Sequence, residues 1–128
     1  MTTLTLPWPS NKLSPNSRLH WAQLAKAKKA YRTACYVAVK EQRKQLPPGS
    51  RFDIALSFVP PNRRRYDRDG LVSRMKSGLD GMADALGIDD SAFVRLSAEM
   101  VELSGNAKGG FVVVRLSASV RAAVGGSA

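Results

Sequence analysis

Residues 66–91 read YDRDGLVSRMKSGLDGMADALGIDDS, and in this stretch an apolar residue recurs every three or four positions, at Leu71, Met75, Leu79, Met82 and Leu86. That spacing predicts one amphipathic helix from about Asp69 to Gly87, with Gly87 suited to the positive φ of a C-terminal cap. On a helical wheel Asp69, Ser73, Lys76 and Asp80 fall within about 60° of one another and roughly 130° from the apolar stripe. The helix is therefore expected to anchor itself through leucine and methionine while it presents charged groups along a groove.

On the N-terminal side, Phe52, Ile54, Leu56 and Phe58 alternate with Arg51, Asp53, Ala55 and Ser57, the period of a strand with one buried face. Pro60 and Pro61 end it, and Arg63, Arg64 and Arg65 follow. Earlier still, LPPGS at 46–50 is a breaker. Before it Leu24, Ala27, Tyr31, Ala34, Cys35 and Ala38 mark a helix from Arg18 to about Lys44. Its other positions are strongly basic, Lys28, Lys29 and Arg32 among them. Residues 10–17 have loop chemistry, and Thr2 to Leu6 alternates as a short strand with Leu4 and Leu6 on one face. On the C-terminal side, Phe93 to about Leu103 and Phe111 to about Val120 read as strands joined by SGNAKGG, an expected antiparallel hairpin. The tail, 121–128, is expected to be frayed. The order β-α-β-α-β-β predicts a single α+β domain over 1–128, a mixed β-sheet with two helices packed on one face.

Composition narrows the partner. Twenty Lys and Arg against ten Asp and Glu give a formal charge of +10 and a sequence pI near 10.4, which points to a polyanion, most commonly nucleic acid. An anionic membrane surface fits less well, because no basic helix carries a strong Trp, Leu or Phe face. Cys35 is alone, which excludes an intramolecular disulfide framework and a cysteine-based zinc site; its apolar neighbours suggest a buried small hydrophobe. The opening MTTLTLPWPS carries neither a basic leader nor a long apolar run, and no stretch has the ~20 apolar residues that span a bilayer. A cytoplasmic protein without a membrane partner is the expectation.

Against that basic background, six of the ten acidic residues fall within 66–91: Asp67, Asp69, Asp80, Asp84, Asp89 and Asp90. Clustered carboxylates in a cationic chain suit a hard cation such as Mg²⁺ or Mn²⁺. Such an ion polarises a phosphodiester and activates water, and Lys76 is placed to meet charge on phosphate oxygens. Asp89 and Asp90 reach Asp67 and Asp69 only if the strand after them packs beside the strand ending at Pro60. Plainer readings stand beside these. Asp69 serves as a helix N-cap, Lys76 and Asp80 form a surface ion pair, Asp89-Asp90-Ser91 is a solvated turn, Asp84 is ordinary helix surface, and His20 is a hydrogen-bonded or surface residue.

An arginine run, Asp67-Arg68-Asp69-Gly70-Leu71, Lys76 with Asp80 one turn on, and then Asp89-Asp90 resemble the motif of the RusA family of Holliday junction resolvases. Leu6-Pro7-Trp8-Pro9 and Asn16 to Trp21 are similar to that family's N-terminal segment. The resemblance implies a metal-dependent, structure-selective endonuclease that resolves four-way DNA junctions by paired symmetric nicks, with Mg²⁺ or Mn²⁺ as cofactor and a homodimer as the working form. It implies Asp67, Asp69 and Asp90 as metal-binding carboxylates, Lys76 as the essential lysine, and Asp80 and Asp89 in support. Arg63, Arg64, Arg65, Arg68, Arg74, Lys28, Lys29 and Arg32 are the expected DNA contacts. Two positions depart from the pattern: Gly70 stands where the family usually has Asn, and the lysine comes three residues later, leaving Ser73 at the usual place. A catalytically inactive, basic nucleic-acid-binding module is the alternative that these departures favour.

Overall fold

Alternation at the N-terminus makes strand β1 (Thr2–Pro7), with Thr2, Leu4 and Leu6 buried and Thr3 and Thr5 exposed. The computed structural model describes residues 1–14, 18, 20–62, 64–101 and 109–119. Helix α1 (Trp21–Gln42) starts where His20, itself exposed, accepts the Ala22 N–H on its Nδ1 at 3.2 Å, so the lone histidine is an N-cap. The helix buries Tyr31, Cys35 and Val39 and turns its lysines outward; Ala34, expected on the apolar stripe, is exposed. Strand β2 (Phe52–Val59) keeps the expected alternation, and Phe52, Ile54, Leu56 and Phe58 enter the core.

The stretch expected to form one helix is two, α2 (Arg68–Arg74) and α3 (Lys76–Leu86). Neither proline nor glycine marks the break at Met75. There the backbone N–H bonds to the Val72 carbonyl three residues back, at 3.0 Å, a tighter turn than the α-helix allows. Packing accompanies it: Met75 is fully buried, with its Sδ 3.3 Å from the Tyr31 hydroxyl, which donates to the Pro7 carbonyl at 2.7 Å. The kink frees α3 to lie close along α1. A Cβ on Gly81 would overlap the Arg32 carbonyl oxygen, and one on Gly78 would meet the Tyr31 ring and stand 2.9 Å from Cys35 Sγ. The two helices thus approach closer than side chains would permit. Leu71, Met75 and Met82 are buried as the apolar stripe requires.

Strands β3 (Phe93–Met100) and β4 (Phe111–Ala118) are both present, but they are not a hairpin. The sheet order is β1-β4-β2-β3, with β2 antiparallel to β4 and parallel to β3. Side chains account for the difference. Val112, Val114 and Leu116 of β4 are wholly buried, so β4 takes a central position with partners on both edges. The more exposed β3, interrupted by Arg95, Ser97 and Glu99, is left at the rim, where charged residues blunt an edge. The core lies between the helices and one face of the sheet. On the other face Ser57 donates to Glu99 at 2.8 Å and accepts from Arg115 at 2.9 Å, a polar bridge across three strands. The architecture is α+β, a mixed four-stranded sheet with its helices on one face. Among the described residues no helix is long and apolar enough to cross a membrane. The expected tail at 121–128 lies outside the described residues, as do most of the SGNAKGG loop, Leu103 and Val120.

Candidate functional site

Asp67, not Asp69, is the N-cap of α2: its Oδ2 accepts the Gly70 N–H at 3.2 Å. Asp69 sits in the first turn, exposed, and its carbonyl accepts the Ser73 hydroxyl at 3.1 Å. Both carboxylates lie at the positive end of a short helix, where negative charge is favoured. Asp80 follows Asp69 by eleven residues, on the order of 15 Å of helical rise. The kink at Met75 comes between them.

At the far end of α3 the chain doubles back. Gly87 takes φ +72°, and the Ile88 N–H bonds to the Ala83 carbonyl at 3.0 Å, a closure that only a left-handed residue allows. The reversal returns Asp89 and Asp90 alongside α3. Asp80 and Asp90 thereby line one cavity of about 240 Å³ with Lys76, Leu79 and Phe93. A second, more open cavity of about 590 Å³ is lined by Asp80, Asp84, Asp89, Asp90 and Arg32. Lys76, the first residue of α3, also reaches a third of about 270 Å³ with Lys28, Ser73, Arg74 and Asp80.

Strand β3 does pack beside β2, as convergence of the aspartates requires, but parallel pairing matches Phe93 to Phe52 and Met100 to Phe58. Asp90 therefore adjoins the end of β2 opposite Pro60. Asp67 and Asp69 line neither of the cavities that Asp80 shares with Asp90. Among the described residues no three His, Cys, Asp or Glu side chains are grouped to hold a metal ion. The structure thus gathers Lys76, Asp80, Asp89 and Asp90 and leaves Asp67 and Asp69 apart.

Crowding of these carboxylates shifts their titration. The Ser91 N–H, 3.0 Å from Asp89 Oδ1, holds Asp89 below the usual carboxylate range, helped by Asp90. Asp90 moves the other way, because its hydrogen bond with Asp89 needs a proton and the charges of Asp89 and Asp80 oppose a further one.

The expected DNA contacts divide into groups. Arg32 donates from Nε to Asp84 at 3.1 Å and from Nη2 to the same oxygen, a half-exposed ion pair that ties α1 to α3. Asp84 is thus not plain helix surface, and the Arg32 charge is partly spent within the protein. No ion pair joins Lys76 to Asp80; among the described residues Arg32–Asp84 is the one formed. Lys28, Lys29 and Arg68 are exposed. Arg64, Arg65 and Arg74 line a separate cavity of about 430 Å³ with Trp8, Asn11 and Tyr66. Arg63 lies outside the described residues. Sequence reasoning gave Trp8 and Tyr66 no contact role; the signal for Tyr66 was its place directly after Arg64 and Arg65, whereas nothing in the sequence joins Trp8 to the arginines.

No family model matches the chain. It is similar to an uncharacterized protein of Xylella fastidiosa (strain Temecula1), 48% identical over 99 residues. That alignment covers 73% of this chain and 63% of the relative, so the chain spans less than two thirds of the relative's length. The likeness to the RusA family accordingly rests on the motif residues alone.

Proposed function

We propose that the chain is a metal-dependent, structure-selective DNA endonuclease that acts on four-way junctions. The observation that carries this reading is the meeting of Lys76, Asp80 and Asp90 round one cavity in a chain of formal charge +10. Mg²⁺ keeps several waters and asks a protein for only one or two carboxylates, with substrate phosphate supplying the rest. Asp80 and Asp90, with Asp89 beside them, offer oxygen donors of that kind. When bound, Mg²⁺ or Mn²⁺ would supply Lewis acidity to the phosphodiester and acidify a water. The residues do the rest. Lys76 sets an ammonium against the charge that grows on phosphate oxygens, and exposed lysines and arginines hold the DNA backbone without reading sequence. The resemblance also proposes Asp67 and Asp69 for the ion, but they lie outside the cavity that Asp80 and Asp90 line with Lys76.

A homodimer belongs to the proposal, since paired symmetric cuts need two symmetric sites. Support comes from β3, terminal in the sheet and bearing exposed Met100 with Val101 just beyond, neither of which lines the cavity of Lys76, Asp80 and Asp90. DNA as substrate puts the protein in the cytoplasm in this reading. A second reading, a non-catalytic DNA-binding module, is favoured by the separation of Asp67 and Asp69 from Asp90. The two part in a cleavage assay on a labelled four-way junction beside linear duplex, with Mg²⁺, Mn²⁺ or EDTA. Paired nicks on the junction, only with metal, are expected; tight binding without nicks under any metal would leave the module.

A further inference from the structure

Away from the carboxylates, the cavity of about 430 Å³ has a wall of two aromatic rings and a rim of three arginines, with no acidic residue in its lining among the described residues. Strand pairing builds it. Pro7 and Val59 both pair with Phe111, so β1 and β2 end level on either side of β4 and deliver Trp8 and Tyr66 to the same rim of the sheet. The rings meet edge to face, 5.2 Å apart, and Trp8 also abuts Phe58 at 6.1 Å. Both rings are half-buried, which fixes them while each keeps surface toward the cavity.

The rim is held as firmly. Asn62 Oδ1 accepts both the Arg64 N–H at 2.9 Å and the Tyr66 hydroxyl at 3.0 Å, which sets the backbone through the arginines. Arg74 reaches across from α2 toward the Pro9 carbonyl, and its Nε is buried with no acceptor among the described residues. Arg74 lines the cavity all the same, and a guanidinium presents donors in the planar fork that suits phosphate oxygens.

Arginines close to fixed aromatic faces are the chemistry of single-stranded nucleic acid: guanidinium on phosphate, ring on base. A duplex hides its base faces in the stack, so this wall is useful only to a base that is out of it. We propose that Trp8, Tyr66, Arg64, Arg65 and Arg74 form a pocket for one unpaired nucleotide, lodged immediately before Asp67 and Asp69. The inference takes its substrate class from the endonuclease reading, and it gives a branched DNA, whose bases part at the crossover, a local advantage over linear duplex.

The test is a fluorescence-anisotropy titration in EDTA of a short oligothymidylate and of an abasic strand with the same number of phosphates. The wild-type protein should bind the oligothymidylate at least ~5-fold more tightly, the size of one base-stacking contact. Tyr66→Leu should abolish that preference, whereas Tyr66→Phe, which loses the Asn62 bond and keeps the ring, should retain it. Arg64→Gln with Arg65→Gln should weaken both ligands about tenfold. Trp8→Leu should behave like Tyr66→Leu, but Trp8 packs on Phe58, so the loop residue Tyr66 carries the test if the Trp8 variant fails to fold. Equal affinities for the two ligands in the wild type, or a preference that survives Tyr66→Leu, would overturn the pocket. Because no metal or cleavage is involved, a protein that never nicks a junction can still pass, and a nuclease can still fail.

Discussion

Gly81 shows how one missing side chain sets the distance between two helices. Because the group that a Cβ would strike is the backbone oxygen of Arg32 rather than a flexible side chain, α1 and α3 must separate to admit it. Gly81→Ala should therefore cost ~3 kcal/mol, at the upper end for an overpacked core. Gly87→Ala, at φ +72° in open space, should cost only ~1 kcal/mol. Urea unfolding of the two variants checks the ranking. Cys35, beneath the same crossing, supplies a pH test. Burial pushes its thiol from 9.0 up to about 11, against a smaller opposing effect of Tyr31. Between those values the folded chain holds a proton that the unfolded chain has lost, so stability is whole below pH 9 and falls as pH rises through 11. At about 1.4 kcal/mol per unit the loss is on the order of a few kcal/mol. The unfolding midpoint should decline over that window in the wild type and less steeply in Cys35→Ala.

Helix α2 is seven residues long, too short to persist without its cap and its packing. Asp67→Ala removes the cap and should cost ~1 kcal/mol, whereas Asp67→Ser keeps an acceptor for the Gly70 N–H and should cost little. If Asp67 also serves the phosphodiester chemistry, both variants lose junction cleavage; cleavage by Asp67→Ser at the wild-type rate would reduce Asp67 to a cap. The elements themselves were largely legible. Alternation at Phe52 to Phe58, the apolar run at Phe111 to Val114, and the three- and four-residue recurrence from Leu71 to Leu86 gave strands and helices near their true bounds. The kink at Met75 was not, because Met75 is buried against Tyr31 beside a glycine-paired helix crossing, contacts distant in sequence. Strand order was half legible. The apolar run of β4, against a β3 interrupted by Arg95, Ser97 and Glu99, was in the residues, yet a turn-rich connection suggests a hairpin whenever partner choice is ignored. Likewise the Asp89-Asp90 pair stood out as a site, while its company, Asp80 and Asp84 instead of Asp67 and Asp69, depends on the reversal at Gly87.

Across the molecule, the charge of +10 is not evenly available to a ligand. Arg32 shares its charge with Asp84, whereas Lys28 and Lys29 on the same helix are exposed and point to solvent. Junction affinity should fall steeply with salt, by nearly one unit of logarithmic slope for each phosphate neutralised. Lys28→Gln with Lys29→Gln should flatten that slope by about 1–2, and Arg32→Gln by clearly less; equal effects would mean that the Arg32–Asp84 pair opens on DNA. The central claim is that Lys76, Asp80 and Asp90 act together on a phosphodiester, and one substitution tests it most directly. Asp90→Asn keeps the size and the turn but removes the carboxylate that borders Asp80 and Lys76. Junction binding and junction nicking measured side by side with Mg²⁺ should show binding kept or tightened, since negative charge is lost near DNA, and nicking abolished. Nicking by Asp90→Asn at the wild-type rate would contradict the account.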